Sequence, residues 1–260
     1  MAASYRALWL SDIHLGTSAA RAADLLGFLD SVTADTIYLI GDIVDLQRLK
    51  LRPQFPPEHR QVIARFFEMA HRGTRIVYVP GNHDVEFRRL AGRNLGGIEV
   101  ALEASHTCGS GRKFLIVHGD CLDRQVRRGT GLEQFGAAAY QLLVRADARL
   151  NRFGNRFGHD CASISSRIKL RLKSANEYIR RYEETAARYA ATRGFDGIVC
   201  GHIHRPAFRQ IDGIWYANDG DWVEHRTALA ETGDGQMQIL QWSRSTVDVV
   251  AAPRQAPLAA

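Results

Sequence analysis

Five short apolar runs in this chain each end in Asp, Asn or His beside a glycine, and that pattern constrains the fold more than any other feature. "YRALWLSD" (5–12) leads into Asp12 and His14, and "TIYLIGD" (36–42) into Asp42 and Asp45. "RIVYVPGN" (75–82) leads into Asn82, His83 and Asp84, "KFLIVHGD" (113–120) carries His118, and "GIVCGHIH" (197–204) carries His202 and His204. Runs this short and rich in β-branched residues read as buried strands. The stretches 18–32 and 56–73 have helical spacing, the second opening on Pro and closing on Gly. Strand and helix in alternation predict an α/β layered fold. "GIWYANDGD" (213–221) and "QMQILQW" (236–242) add two further strands.

In an open α/β sheet, ligands bind in the loops beyond the carboxyl ends of the strands. The five runs therefore deliver their polar residues to one edge. Extended backbone would point residues i and i+2 the same way, making pincers of Asp12 with His14 and of His202 with His204. The oxygen and nitrogen donors, with no thiolate among them, suit Mn, Fe or catalytic Zn rather than a structural zinc site. Asp12, His14, Asp42, Asn82, His118, His202 and His204 exceed what one such ion takes. Two divalent ions about 3.5–4 Å apart, sharing one carboxylate, are implied. Taken singly, each motif has a plainer reading: a cap for Asp12, a strand-end turn for Asp42 and Asp45, a core histidine for His118. Five together at strand ends outweigh those readings.

Residues 122–195 break the rhythm. They contain no convincing strand, and 136–153 and 166–193 read as two helices inserted between strands of one domain covering 1–250, with a frayed tail at 251–260. Residues 124–188 carry 14 Arg and Lys against 6 Asp and Glu, whereas the whole chain has a formal net charge of only +6. The concentration points to phosphate groups, an anionic membrane surface or nucleic acid as partner, with a solvated helical face as the plain alternative. No aromatic-interleaved groove accompanies it, which disfavours nucleic acid. The apolar runs fall far short of the roughly 18 residues that span a bilayer. "MAASYRALWLSD" lacks a long apolar leader region, and Cys108, Cys121, Cys161 and Cys200 form no CxxC pair. These features lead us to expect a cytoplasmic protein with reduced thiols.

The blocks SDIHLG, GDIVD, GNHD, VHGD and GHIH, in this order from residue 11 to 204, resemble those of the calcineurin-like metallophosphoesterase superfamily. The resemblance implies a four-layered αββα sandwich and two metals, Mn foremost with Fe or Zn as alternatives. One metal would take Asp12, His14 and His204, the other Asn82, His118 and His202, with Asp42 bridging. The pair would activate a water and neutralise phosphate oxygens. It further implies that His83 contacts phosphate or supplies a proton, that Asp84 orients His83, and that Asp45 is an outer partner or a cap.

Longer stretches, "RALWLSDIHLGT" and "GIVCGHIHRPAFRQIDGIWYANDGDWVE" among them, are similar to the UDP-2,3-diacylglucosamine diphosphatase-like branch. That branch carries a lid where this chain has its helical insertion. The likeness implies a nucleotide-linked lipid substrate cleaved to lipid X and UMP in lipid A synthesis, with peripheral contact at the anionic inner membrane surface. Arg167, Lys169, Arg171 and Lys173 are the lid candidates for gripping the diphosphate. The well-known members of the branch have Arg where this chain has His83, which follows the wider superfamily. A phosphodiesterase or nuclease acting on another nucleotide or lipid diester is the second reading. The protein phosphatases are set apart by the Arg-Gly that "GDIVDLQ" lacks.

Overall fold

The structure is a computed structural model that describes residues 2–126 and 161–251. Side chains of 124, 125 and 161–174 lie outside that description, as does the expected helix at 136–153. Two compact units are present among the described residues: 2–120 with 186–251, and 121–126 with 161–185.

The larger unit holds two sheets. The first contains β1 (Ala3–Leu10), β2 (Val32–Ile40), β3 (Arg75–Val79), β4 (Asn94–Leu95), β5 (Ile98–Val100), β11 (Thr227–Glu231), β12 (Met237–Ser243) and β13 (Thr246–Ala251), in the order β13-β12-β11-β1-β2-β3-β5-β4. The second contains β6 (Ala104–Thr107), β7 (Lys113–Ile116), β8 (Gly197–Cys200), β9 (Ala207–Ile211) and β10 (Ile214–Asn218), in the order β6-β7-β8-β10-β9. Five of the strands read from sequence appear, and the runs at 213–221 and 236–242 form β10 and β12. Strands β4, β5, β6, β9, β11 and β13 had no sequence forecast, being short, at an edge, or weak in periodicity.

Alternation along the central strands builds two cores. Leu8, Leu10, Ile37, Leu39, Ile76 and Tyr78 face one way, onto helix α1 (Ala22–Ser31) and helix α3 (Pro57–His71). These helices present Leu25, Phe28, Leu29, Val62 and Phe66, at the spacing of a single helical stripe. Ala7, Trp9, Tyr38, Ile40, Val77 and Val79 face the other way, meeting Phe114, Ile116, Val199 and Ala217 of the second sheet. Strands that are apolar on both faces must lie between two layers, which is why these runs are continuously hydrophobic rather than alternating. Each large side chain so buried stabilises by roughly 1.5–3 kcal/mol. Helix, sheet and sheet are consistent with the expected αββα sandwich.

The smaller unit contains α4 (Asp120–Val126) and most of α5 (Cys161–Ala191), with Leu122, Val126, Ile179 and Tyr182 buried. The Tyr178 hydroxyl donates to Asp123 Oδ1 at 2.5 Å. Arg180 and Arg181 pair with Glu177, and Arg180 also with Glu184, so this part of the basic helix is a charge-paired face. No helix among the described residues is long and apolar enough to cross a membrane.

Candidate metal centre

Parallel pairing places the chemistry. β1, β2 and β3 run parallel in one sheet, and β7, β8 and β10 run parallel in the other. Parallel neighbours end at the same edge, so each trio sends its carboxyl-terminal loops to one place. Asp12 and His14 follow β1, Asp42 and Asp45 follow β2, and Asn82, His83 and Asp84 follow β3. His118 follows β7, and His202 and His204 follow β8.

The loops there are not extended, which corrects the pincer geometry. Asp12, His14, Asp42, His202 and His204 all adopt left-handed backbone, with φ between 50° and 71°. Non-glycine residues pay for that conformation and hold it only where their surroundings enforce it. Here the neighbouring loop does so: Asp12 N–H donates to Gly41 O at 3.1 Å, and His14 N–H to Asp42 O at 2.8 Å. Packing between the loops is tight enough to demand glycine. A Cβ on Gly81 would stand 2.8 Å from both Asp42 N and His118 Cδ2.

Asp42 occupies the centre. Its Oδ1 accepts from His83 N–H at 2.8 Å. Its Oδ2 faces His118 Nε2 at 3.5 Å, His14 Nε2 at 3.8 Å and His83 Nε2 at 3.9 Å. Burial alone would raise the Asp42 carboxyl, but His118, His14 and His83 together hold it well below the usual carboxylate range. Asp12 is similar. Its Oδ2 accepts from His202 N–H at 2.8 Å, and its Oδ1 lies 3.0 Å from His204 Nε2 and 3.8 Å from His14 Nε2. Against the upward push of burial, His204 and then His118 bring Asp12 down to about 2. Reciprocally, burial opposes charge on His204, but Asp12 and Asp221 raise the ring to about 9.

This arrangement fits cations. The buried His118 donates through Nδ1 to Ile40 O at 2.9 Å, which turns its Nε2 toward Asn82 Oδ1 at 3.2 Å and Asp42 Oδ2. Two oxygens facing one imidazole nitrogen call for a positive charge between them, a ring proton or, with the ring neutral, a bound cation. His14 and His204 likewise oppose Nε2 to Nε2 at 3.4 Å, and Asp12 Oδ1 beside them is buried without a hydrogen bond. Oxygen and nitrogen donors alone meet here, the set that suits Mn, Fe or catalytic Zn. All seven ligand candidates read from sequence converge: the His202 ring stacks edge-on against His118 at 5.1 Å between centroids.

The role expected for Asp84 is corrected. Its carboxylate accepts from Gly81 N–H at 2.6 Å and Ile43 N–H at 2.8 Å, and so ties the loop after β3 to the loop after β2. Asp45 is the group beside His83, with Oδ2 at 3.1 Å from His83 Nδ1 and 3.4 Å from His14 Nδ1. Asp45 Oδ1 meanwhile caps helix α2 (Leu46–Leu51) by accepting from Arg48 N–H at 2.8 Å. Both sequence alternatives for Asp45, partner and cap, are thus realised by its two oxygens. Burial disfavours a charged His83, but Asp45 and then Asp42 outweigh this and raise its pKa.

The sequence reading missed a sixth contribution, from the loop after β10. Asp221 lies 4.0 Å from His204 Nδ1 and 2.5 Å from His225 Nδ1, while Asp219 accepts from Ser11 Oγ at 2.7 Å. The signal was available: "NDGD" directly follows a predicted strand, like the other five blocks. Arg167, Lys169, Arg171 and Lys173 lie on α5, where side chains are outside the described residues.

Comparison with known proteins agrees with the geometry. The chain is 26% identical over 243 residues to a UDP-2,3-diacylglucosamine hydrolase of Pectobacterium carotovorum, covering 86% of this chain and 94% of the relative. It is 27% identical over 220 residues to the enzyme of the same name in Serratia proteamaculans, covering 78% and 84%. Among solved structures, Yfce, a phosphoesterase from E. coli, aligns with TM-score 0.49 at 16% identity, covering 95% of this chain and 97% of that one. The calcineurin-like phosphoesterase family matches residues 5–206. With the family spanning most of the chain and its polar blocks gathered at one edge, the protein belongs to the calcineurin-like phosphoesterases and is a metal-dependent phosphoester hydrolase.

Proposed function

We propose that this hydrolase cleaves the diphosphate of UDP-2,3-diacylglucosamine, giving UMP and lipid X, with two divalent cations of which Mn²⁺ is foremost. The observation that carries the reaction class is Asp42 Oδ2, within 3.9 Å of imidazole nitrogens from three separate loops. The substrate is supported by relatives of that name matched along most of the chain. Asp12, His14 and His204 would hold one cation and Asn82, His118 and His202 the other, with Asp42 between them.

When bound, such cations supply Lewis-acid stabilisation of the phosphate oxygens and a water of lowered pKa. The chain's own residues do the rest. His83, partly exposed at the mouth of the site and charged by Asp45, donates a proton to the departing phosphate oxygen. Asp84, through three backbone amides, keeps the loop that carries Asn82 and His83 against the loop that carries Asp42. Arg167, Lys169, Arg171 and Lys173 of the basic insertion are, by their charge, the candidates for binding the diphosphate, and the same charge suits an anionic membrane surface.

Turnover of UDP-2,3-diacylglucosamine in ¹⁸O-water with Mn²⁺, followed by mass spectrometry, tests this reading. One labelled product of the pair UMP and lipid X is expected. No turnover, with bis-p-nitrophenyl phosphate still hydrolysed, would replace the lipid substrate by another diester. His83, in place of the Arg of the lipid branch, is the residue that favours this second reading.

A further inference from the structure

A second cluster of metal-binding side chains lies between the two sheets of the larger unit, away from Asp42 and its neighbours. His106 on β6, Cys108 just after it and Glu231 at the end of β11 bring one ligand atom each to within 4.8 Å of one another. Cys108 and Glu231 are buried, and the His106 side chain is 11% exposed. None of the three takes part in the phosphoesterase site.

His106 and Glu231 are each held by an atom other than the one they would offer, and Cys108 is held through its backbone. His106 Nδ1 lies 3.1 Å from the Tyr38 hydroxyl, and the ring packs edge-on against Trp9 at 5.1 Å between centroids. Glu231 Oε1 accepts from Gly109 N–H at 2.7 Å and faces Arg6 Nε at 3.6 Å, which leaves Oε2 directed at His106 Nε2, 2.6 Å away. Cys108 sits on a tight turn, its N–H donating to Arg112 O at 2.9 Å, and its thiol approaches Met237 Sδ at 3.6 Å. Outer contacts of this kind fix the orientation of ligands in metal sites.

We infer that His106 Nε2, Cys108 Sγ and Glu231 Oε2 form a second metal site, selective for a thiophilic divalent cation of the zinc type. One thiolate, one imidazole and one carboxylate are the donor types such an ion takes, whereas Mn²⁺ prefers oxygen. Tetrahedral ligand atoms stand about 3.5 Å apart, so small side-chain rotations convert the present cluster into a coordination shell. Binding forms metal–nitrogen, metal–sulfur and metal–oxygen bonds. It expels the proton of the Cys108 thiol to solvent, and the neutral His106 ring coordinates through Nε2 as its Nδ1–H tautomer. His106 Nδ1–H then donates to the Tyr38 hydroxyl. Burial pushes the Cys108 thiol up to about 12 without metal, so the deprotonated form appears only with the cation. Because β6 belongs to the second sheet and β11 to the first, the ion clamps the two sheets together.

Cobalt reports on this site selectively, because the phosphoesterase cluster contains no sulfur. Adding Co²⁺ to the metal-stripped full-length protein should produce thiolate-to-cobalt charge-transfer absorption. That band should vanish in Cys108→Ser, fall at least about tenfold in apparent affinity in His106→Gln, and persist in Cys121→Ser and Asp42→Asn. Zn²⁺ should displace the cobalt and raise Tm in the wild type. No thiolate band in the wild type, or an undiminished band in Cys108→Ser, would overturn the assignment. His106→Gln leaves every thiol in place, so its lowered affinity separates loss of a ligand from loss of fold.

Discussion

Asp45 Oδ2 stands 3.1 Å from His83 Nδ1 while the other oxygen of the same carboxylate caps helix α2, so one side chain couples the candidate proton donor to the scaffold. The helix fixes the carboxylate, and the carboxylate fixes and charges the ring. This relationship makes the behaviour of His83 predictable.

Removing His83 takes away the proposed proton donor but none of the proposed cation ligands. His83→Gln should lower kcat roughly 10²–10⁴-fold and leave the bound-metal content unchanged, as read by steady-state kinetics beside elemental analysis. Loss of metal along with activity would assign His83 to the metal shell instead.

The pH profile tests Asp45. Against the opposing effect of burial, Asp45 and Asp42 raise the pKa of His83, so its protonated form persists above the ordinary histidine range. Activity that depends on that proton is full at lower pH and falls as pH rises through the raised value. Asp45→Asn should therefore move the alkaline limb of kcat toward lower pH. An unmoved limb would show that another group titrates there.

Asp84 should behave differently, although it is the residue adjacent to His83. It is fully buried and receives three backbone N–H groups, and an Asn in its place would turn an amide NH₂ toward at least one of them. Asp84→Asn should cost about 1–3 kcal/mol of stability in denaturant unfolding while the alkaline limb stays in place. A shifted limb with intact stability would restore Asp84 as the partner of His83.

Close packing of the loops gives a prediction without any titrating group. The Cβ of Gly81→Ala would meet Asp42 N and His118 Cδ2 at 2.8 Å, so those two residues must separate. Metal affinity should fall by roughly 10–100-fold in isothermal titration, with far-UV circular dichroism unchanged. Unaltered affinity would show that the site tolerates wider spacing than its present geometry indicates.

The contrast between Asp45 and Asp84 also shows what was legible in the sequence and what was not. The strand runs were readable because β1, β2 and β3 are buried on both faces, so local hydrophobicity alone reports them. The ligand candidates were readable because each ends such a run. Which carboxylate touches His83 was not, since it depends on the parallel register of β2 against β3, Ile40 opposite Val79, which sets two loops side by side. The left-handed backbone at Asp12 and His14 has the same origin: bonds from the neighbouring loop impose it, and no local propensity of Asp or His would announce it. Glu231 and His106 meet across two sheets and 125 positions of sequence, beyond the reach of any local pattern.

The most direct test of the whole account is the metal dependence of hydrolysis with Asp42 varied. Chelator-stripped protein should not hydrolyse bis-p-nitrophenyl phosphate, activity should climb to a plateau at two equivalents of Mn²⁺ per chain, and Asp42→Asn should lose that activity without unfolding. Hydrolysis that survives chelation, or full activity in Asp42→Asn, would contradict a two-cation centre built around Asp42.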